Sequence, residues 1–340
     1  MKYFSTIFIL FFFEFANAQV PGTAIINNAL FAKFTMSVTV NSTSSITFKI
    51  DAVGGVGRIT EVGVVYGIAK GLTTTSTLAR PSATSPTFGS RIATISYTSN
   101  QWLNTINLTV LSTETTNSQG TTTFYVAPYY AKLYAIKNGI TYYGPEIEFL
   151  PNWPTYSITG GKNWVQANLG ALRVATSSTD TDSYGWYYNW GKPTDGHQFK
   201  NSSSSSTKFD GDTPTPGVYS GGNNIQDWQN TRNNNLWNGV NGINNPCPSG
   251  WRLPTKDEWV SFTGSISNTA TAYSSNLKLP AQAGRDRSYT SDLSGGNTNN
   301  IYWSGDASNP TWTWAHYSGG LQNGATQPTY GAAVRCVENQ

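Results

Sequence analysis

Cysteine and tryptophan are concentrated in one part of this chain. Eleven of its twelve tryptophans and both of its cysteines lie beyond residue 150. Cys247 stands in the phrase NPCPSGWRLPT at residues 245–255, and Cys336 stands in VRCV at residues 334–337. Proline, glycine and serine around a cysteine interrupt regular structure. These phrases therefore predict a loop-rich module with an aromatic surface, closed by a disulfide.

The amino terminus has the pattern of a secretory signal. Lys2 is followed by an apolar run at 7–13 and by small residues at 16–18, before a cut ahead of Gln19. Residues 1–18 are therefore predicted to be a signal peptide, and the protein to be secreted or held at the cell surface. No other segment reaches the roughly 18 apolar residues of a transmembrane helix, so we expect no membrane span.

Two cysteines in an exported chain most simply pair with each other. We therefore predict a Cys247–Cys336 disulfide, which would close a loop of about 90 residues and stabilise the fold by about 4 to 5 kcal/mol. Only 11% of the residues are charged, and the net charge is +3. Nucleic-acid binding needs clustered Lys and Arg, so no nucleic-acid partner is expected.

Residues 20–150 have the pattern of a β-sandwich. Alternation of apolar and polar residues predicts strands at 46–50, 61–67, 106–110 and 123–135. Pro128 would place the last of these at an edge or a bulge, and Lys137-Asn138-Gly139 signals a turn. The phrases TEVGVVYG (60–67) and YYAKLYAIKNGITYYGPEI (129–147) resemble fibronectin-type-III-like or Ig-like domains of secreted Bacteroidetes proteins. That resemblance implies a spacer or presentation domain.

A short, stiff boundary with two prolines follows at residues 150–154. The second domain is predicted to span residues 155–340 and to contain one well-signalled helix. Thr255 can cap this helix, and Glu258 completes a Thr-x-x-Glu capping box. The residues expected to face the core from it are Trp259, Phe262 and Ile266.

The second domain resembles the Fibrobacter succinogenes major paralogous domain family. The phrases that carry the resemblance are GKNW (161–164), NLGA (168–171), RVATS (173–177), YGWYYNWG (184–191), DGHQ (195–198), LWNG (236–239), PCPSGWRLPT (246–255), YWS (302–304) and VRCV (334–337). The resemblance implies a C-type-lectin-like fold related to formylglycine-generating and sulfatase-modifying proteins. The expected fold class is thus mainly β with α+β: an amino-terminal β-sandwich followed by a loop-rich C-type-lectin-like domain.

The enzymes related to this family need residues that the chain lacks. The resemblance implies paired active-site cysteines or a cluster of three histidines, but both cysteines match the family's structural pair and only His197 and His316 are present. We therefore expect no enzyme activity and no cofactor, and His197 is expected to make a structural hydrogen bond. Asp180 with Asp182, and Asp210 with Asp212, leave calcium open, although capping of loop turns is the simpler role.

Two aromatic clusters are candidates for recognition. The cluster at 186–190 is assigned to the core, whereas Trp303, Trp312, Trp314 and Tyr317 stand among Gly and Asn and are predicted to form a binding face. The predicted function is non-enzymatic recognition or adhesion, with a glycan or a surface protein as partner. The alternatives are a structural subunit of an extracellular assembly, an enzyme of the same fold acting on a surface polymer, and a head diversified over residues 295–330.

Overall fold

The structure is a computed structural model, and it describes most of the chain. The described residues are 24–26, 32–54, 59–72, 90–96, 106–111, 118–157, 161–222, 225–263, 266–282, 284–285, 300–306, 312–317, 320–325 and 327–339. The predicted signal peptide, residues 1–18, lies outside them.

The amino-terminal part is built from antiparallel strands. In chain order they are β1 (Ala24–Ile26), β2 (Ala32–Ser42), β3 (Ser45–Gly54), β4 (Ile59–Gly67), β5 (Ser90–Ser96), β6 (Ile106–Leu111), β7 (Tyr129–Lys137) and β8 (Ile140–Phe149). They form two sheets, ordered β1-β2-β3-β6 and β5-β4-β7-β8. The strands predicted at 46–50, 61–67 and 106–110 are confirmed as parts of β3, β4 and β6.

The two sheets face each other across an apolar layer. The ring centroid of Phe48 on β3 lies 5.4 Å from that of Tyr66 on β4 and 5.8 Å from that of Phe149 on β8. Ile46 and Ile50, two residues to either side of Phe48, are also fully buried, as the period of a strand requires. Two facing sheets joined by such a layer are the geometry of a β-sandwich.

Strand β7 begins directly after Pro128 and lies between β4 and β8. The strand predicted at 123–135 begins only at Tyr129, and the edge or bulge predicted from Pro128 is wrong: the proline precedes the strand, so it removes no hydrogen bond from the ladder. The predicted turn is confirmed at Asn138 and Gly139, whose φ angles are 52° and 76°. Positive φ at both positions suits the two-residue turn between antiparallel strands.

A bulge in the β7–β8 ladder decides which side chains of β8 face outward. Tyr134 pairs with Tyr143, but Lys132 pairs with Glu146, so β8 has one extra residue at Gly144-Pro145. A one-residue shift reverses the faces of every residue that follows. Beyond the bulge, the glutamates of β8 consequently face outward and its apolar residues face the inner layer.

The carboxy-terminal part consists of short strands, two helices and long loops. Its strands are β9 (Thr155–Ser157), β10 (Asn163–Val165), β11 (Tyr188–Asn189), β12 (Ser203–Ser205), β13 (Val218–Ser220), β14 (Trp251–Arg252), β15 (Asn300–Trp303), β16 (Trp312–Tyr317), β17 (Gly320–Ala325), β18 (Gly331–Ala332) and β19 (Val337–Glu338). The sheets are ordered β14-β19-β10-β9 and β15-β16-β17, and β11-β18 and β12-β13 are pairs. The mainly β class is confirmed, whereas the division into domains at 20–150 and 155–340 stays a prediction.

The predicted helix is α1 (Lys256–Thr263), and α2 (Thr269–Ser274) follows it. The capping box predicted for α1 is confirmed, because the Glu258 carboxylate accepts the Thr255 N–H at 2.8 Å and Thr255 Oγ1 accepts the Glu258 N–H at 3.2 Å. Trp259 is buried as predicted, but α1 ends before Ile266, which is buried outside the helix. Within the described residues, no helix is long and apolar enough to cross a membrane.

The predicted disulfide is confirmed. Cys247 and Cys336 are bonded to each other, at a sequence separation of 89. Next to Cys336, the guanidinium of Arg335 is fully buried and donates to the carbonyl oxygens of Val165 (2.9 Å) and Leu277 (3.0 Å). Burial lowers the pKa of Arg335 to about 10. The carboxy-terminal segment is thus tied to distant loops by one covalent bond and one buried cation.

The two parts of the chain are joined by direct contacts. The Val126 N–H donates to the Ala171 carbonyl at 2.7 Å, and the Gly170 N–H donates to the Val126 carbonyl at 2.8 Å. The boundary segment itself is packed between the parts, since Asn152 Nδ2 donates to the carbonyls of Phe124 (2.9 Å) and Leu172 (3.0 Å). These bonds fix the position of one part against the other.

Candidate ligand-binding cleft

Trp303, the first residue of the predicted binding face, belongs to the core. It is 0% exposed, and its indole N–H donates to the Tyr188 carbonyl at 2.7 Å. The assignment of Trp303 to an exposed face is therefore corrected: the polar neighbours in its sequence do not prevent β15 from lying inside the fold. Trp312, Trp314 and Tyr317 lie on β16, but their side chains are outside the description, so their binding role stays a prediction.

The aromatic cluster at 186–190 is buried, which confirms its assignment to the core. Trp186, Tyr187, Tyr188 and Trp190 are each at most 6% exposed. The Trp190 carbonyl also accepts the indole N–H of Trp228 at 2.8 Å. These rings therefore fill the interior, and the Trp190 indole N–H donates to the Ser304 carbonyl at 3.2 Å.

His197 makes the structural hydrogen bonds expected of it. Its Nδ1 lies 2.6 Å from Asp195 Oδ1, and its Nε2 accepts the backbone N–H of Asn189 at 3.1 Å. An accepting Nε2 places the proton on Nδ1 and leaves the ring neutral, and burial lowers the pKa of His197 despite the nearby Asp195. Because both nitrogens are engaged, the imidazole has no nitrogen left for proton transfer to a substrate.

A cleft of about 720 Å³ lies between the two parts of the chain. Its volume is in the range of small-molecule sites, which are concave and combine apolar walls with a few placed polar groups. The lining residues are 68–70, Tyr130 and Glu148 from the amino-terminal part, and 193–195, Pro216, 240–242 and 244–250 from the carboxy-terminal part.

The amino-terminal wall of the cleft is the outer face of the β7–β8 pair. Tyr130 and Glu148 are partners across this pair, and the neighbouring partners Lys132 and Glu146 form an ion pair at 3.5 Å. Glu146 also accepts the Gly71 N–H at 2.7 Å, which holds the turn that carries Lys70. The Lys70 ammonium lies 5.2 Å from the Tyr130 ring centroid, so an aromatic ring, a cation and a carboxyl group share this wall.

Glu148 links the two walls. Its Oε1 accepts the Ser249 N–H at 2.9 Å from the opposite wall. Burial raises the pKa of Glu148, although the Ser249 N–H and the Lys70 charge act in the other direction. Burial and the adjacent Glu148 raise the pKa of Tyr130 as well. A carboxyl group in such a desolvated place interacts strongly with hydrogen-bond donors.

Asp195 lines the cleft with one carboxylate oxygen in use and one without a partner. Oδ1 accepts the His197 N–H at 2.9 Å and contacts the His197 ring, whereas Oδ2 has no hydrogen-bond partner among the described residues. The side chain is 9% exposed. Nearby, the fully buried Lys192 donates to the Val218 carbonyl at 2.9 Å. Burial lowers the pKa of Lys192 to about 8, although the negative charge of Asp195 acts to raise it.

The carboxy-terminal wall is rigid. Pro246 and Pro248 flank Cys247, whose disulfide ties this wall to residue 336. The Asn245 side chain bridges the same loop, because its Nδ2 donates to the Trp251 carbonyl at 2.8 Å and its Oδ1 accepts the Cys247 N–H at 3.1 Å. A wall held in this way needs little ordering when a ligand binds.

The acidic pairs considered for calcium are engaged in loop contacts. Asp180 accepts from the Thr176 N–H at 2.9 Å and from Arg173 at 3.0 Å. Asp212 accepts from Gln229 and Asn233, each at 3.0 Å. Across the described part of the chain, no group of three or more His, Cys, Asp or Glu residues is placed to hold a metal ion.

Sequence reasoning missed Tyr130, Glu148 and Asp195 as cleft residues. Asp195 stood in the DGHQ phrase, where only His197 received a role. Tyr130 and Glu148 are separated by a turn and a bulge, and the signal for the bulge was Gly144-Pro145, which interrupts the alternation of β8. With that signal, the two residues could have been placed on one outer face.

The chain matches no protein-family model, no curated protein and no solved structure. The resemblances to the Fibrobacter succinogenes major paralogous domain family and to fibronectin-type-III-like domains therefore stay predictions.

Proposed function

We propose that this chain is a non-enzymatic recognition protein that binds a glycan in the cleft between its two parts. The observation that carries the proposal is that both parts contribute polar groups to one cavity of about 720 Å³. Glycans offer many hydroxyl groups and apolar ring faces. The cleft offers carboxylates and amides for the former, and Tyr130 and several prolines for the latter.

The fixed geometry of the cleft supports binding without chemistry. The disulfide, the Asn245 bridge and the Glu148–Ser249 hydrogen bond hold the walls before any ligand arrives. Preorganised walls raise affinity because little conformational entropy is lost on binding. His197 follows the cleft residue Asp195 by two positions, and both of its ring nitrogens are hydrogen-bonded within the fold.

The compartment is part of the proposal. A disulfide that closes a long loop is typical of proteins from oxidising surroundings, and the amino terminus has the pattern of a secretory signal. We place the protein outside the cell, secreted or at the cell surface.

A glycan array with the mature chain tests the proposal. The cleft variant is Asn241→Trp, which puts an indole at an exposed cleft position. The control is Asn238→Trp, at an exposed position of the same loop that does not line the cleft. We expect the wild type and Asn238→Trp to bind the same glycans, and Asn241→Trp to lose them with an unchanged melting temperature.

Two results would contradict the proposal. If no glycan binds the wild type, glycan recognition is wrong. If Asn241→Trp binds as well as Asn238→Trp, the cleft is not the site. In that second case Trp312→Ala and Trp314→Ala should be compared on the same array, because the sequence predicts a binding face there.

A further inference from the structure

We infer that Asp195 anchors the ligand by accepting a hydrogen bond from a ligand hydroxyl at its Oδ2 atom, and that the ligand is therefore a neutral saccharide. This inference rests on the proposed function and names the substrate class of the same cleft.

The first argument is the unused oxygen of Asp195. Oδ1 is engaged by the backbone N–H and the ring of His197, whereas Oδ2 has no hydrogen-bond partner within the described residues. The residue is 9% exposed and Oδ2 itself is closed to solvent, so a ligand hydroxyl reaches this atom only when the side chain turns towards the cleft. Buried polar atoms in proteins are nearly always paired, and an unpaired one costs free energy, so a donor from a ligand would be favoured at this atom.

The second argument is that charges of both signs surround the cleft, so they give no net attraction to an anionic or a cationic ligand. The carboxyl groups of Glu148 and Asp195 line it, and they would repel a uronic acid or a phosphate. Lys70 also lines it, and the buried Lys192 lies close enough to Asp195 for their charges to interact. These two cations would oppose an amino sugar. A hydroxyl donor satisfies Oδ2 without adding charge of either sign.

The third argument is that part of the cleft walls carries no free hydrogen-bond donor. Pro193, Pro216, Pro246 and Pro248 line the cleft, and proline has no backbone N–H. The Ser249 N–H is already given to Glu148. These parts of the walls have no free donor for the cleft carboxylates, and the hydroxyl groups of a saccharide can supply donors there.

The variant Asp195→Asn isolates the one atom. An asparagine side chain of the same shape retains an oxygen for the His197 N–H and replaces Oδ2 with an NH2 group. Asp210→Asn is the control, since Asp210 is exposed and does not line the cleft. The probes are the array glycans that the wild type binds and their singly deoxygenated forms, measured by titration calorimetry.

We expect Asp195→Asn to weaken binding at least tenfold, which corresponds to about 1.4 kcal/mol, with the melting temperature within a few degrees of the wild type. We also expect one deoxy form to bind the wild type at least tenfold more weakly than its parent. Against Asp195→Asn, the difference between that deoxy form and its parent should become smaller, because a neutral NH2 group that donates to the hydroxyl oxygen replaces the carboxylate that accepted from the hydroxyl.

The contrary outcomes are separate from those of the proposed function. If Asn241→Trp abolishes binding but Asp195→Asn leaves it unchanged, Oδ2 makes no hydrogen bond to the ligand, and the inference is wrong while the cleft remains the site. A preference for uronic-acid or amino-sugar glycans would also overturn it. If Asp195→Asn unfolds the chain, the binding of the deoxy forms to the wild type decides. The anchor is refuted if removal of each hydroxyl in turn weakens binding by less than tenfold.

Discussion

The two parts of the chain satisfy their buried polar groups in different ways. In the amino-terminal part, long ladders such as β2–β3 pair the backbone groups with one another. In the carboxy-terminal part the strands have two to six residues, and side chains bind the loop carbonyls instead. The indole N–H groups of Trp237 and Trp303 donate to Lys192 and Tyr188 carbonyls at 3.1 and 2.7 Å.

This difference explains where the tryptophans lie in the sequence. An indole has a large apolar surface and a single donor, so it can fill a core and satisfy a loop carbonyl at the same time. A ladder needs no such donor, and the inner layer of the amino-terminal sheets uses Ile46, Phe48 and Ile50 instead. Loop architecture, rather than ligand contact, accounts for much of the aromatic content.

The comparison predicts that removing the disulfide has the largest effect. Cys247→Ser with Cys336→Ser should lower the free energy of unfolding by about 4 to 5 kcal/mol, because an 89-residue loop is no longer closed. Denaturant unfolding followed by tryptophan fluorescence, which reports mainly on the carboxy-terminal part, measures the change. Thiol titration of the unreduced, denatured wild type should find no free thiol, and two thiols would contradict the bond.

Removing the buried cation Arg335 should cause the second-largest loss of stability. Arg335→Met leaves the Val165 and Leu277 carbonyls without their donor, at about 1 to 3 kcal/mol each, so we expect a loss of roughly 3 kcal/mol. The matched control is Lys49→Met, whose ion pair with Asp51 lies on the exposed surface of the amino-terminal part, and which should change stability by less than about 0.5 kcal/mol. If urea unfolding showed the same loss of stability for Arg335→Met and Lys49→Met, the stated difference between the two parts of the chain would be wrong.

Glu258, in the capping box at the start of α1, should contribute an intermediate amount of stability, and this contribution should depend on pH. Burial opposes ionisation of Glu258, but hydrogen bonds from Arg252 and Lys162 outweigh it and lower its pKa to about 2. A lowered pKa stabilises the fold above the unfolded value of about 4.3, and this stability is lost as the pH falls towards 2.

Glu258→Gln should therefore cost about 2 kcal/mol near neutral pH, where it removes charge-assisted hydrogen bonds, and less at acidic pH. Melting curves of the wild type and the variant between pH 2 and pH 6 test this. A constant difference over that interval would exclude the proposed role of the ionised carboxyl group.

The smallest effect is expected on the surface of the amino-terminal sheets. Thr47 and Thr109 are partners across β3–β6, with hydroxyl oxygens 3.1 Å apart in an exposed position. Thr47→Ala should lower stability by about 0.2 to 1 kcal/mol, as is usual for one cross-strand pair. A loss as large as that of Arg335→Met, measured in the same urea series, would show that polar side chains matter equally in both parts.

Local patterns made several features predictable. The alternation around Phe48 marks a strand with one buried face, and Asn138-Gly139 selects a tight turn between two strands. The Thr255–Glu258 capping box depends only on residues three positions apart, so it could be predicted from the sequence. The disulfide was predictable because the chain has no third cysteine to compete for the pair.

The cleft was not predictable in the same way, because its parts are distant in the chain. Counting back from the Asn138-Gly139 turn alone would place Ile147 opposite Tyr130, whereas the bulge at Gly144-Pro145 places Glu148 there. Trp303 illustrates the same limit: asparagine, serine and glycine stand close to it in sequence, and only the packing of β15 shows that the ring is buried.

The sequence by itself determined the strand periodicity of the amino-terminal part, the helix start at Thr255 and the pairing of Cys247 with Cys336. Those features depend on residues a few positions apart, or on there being a single possible partner. Only the tertiary structure decided that Tyr130, Glu148 and Asp195 line one cleft and that Trp303 lies in the core. The reason is physical: burial and proximity between distant segments depend on strand register and loop packing, which local residue patterns do not encode.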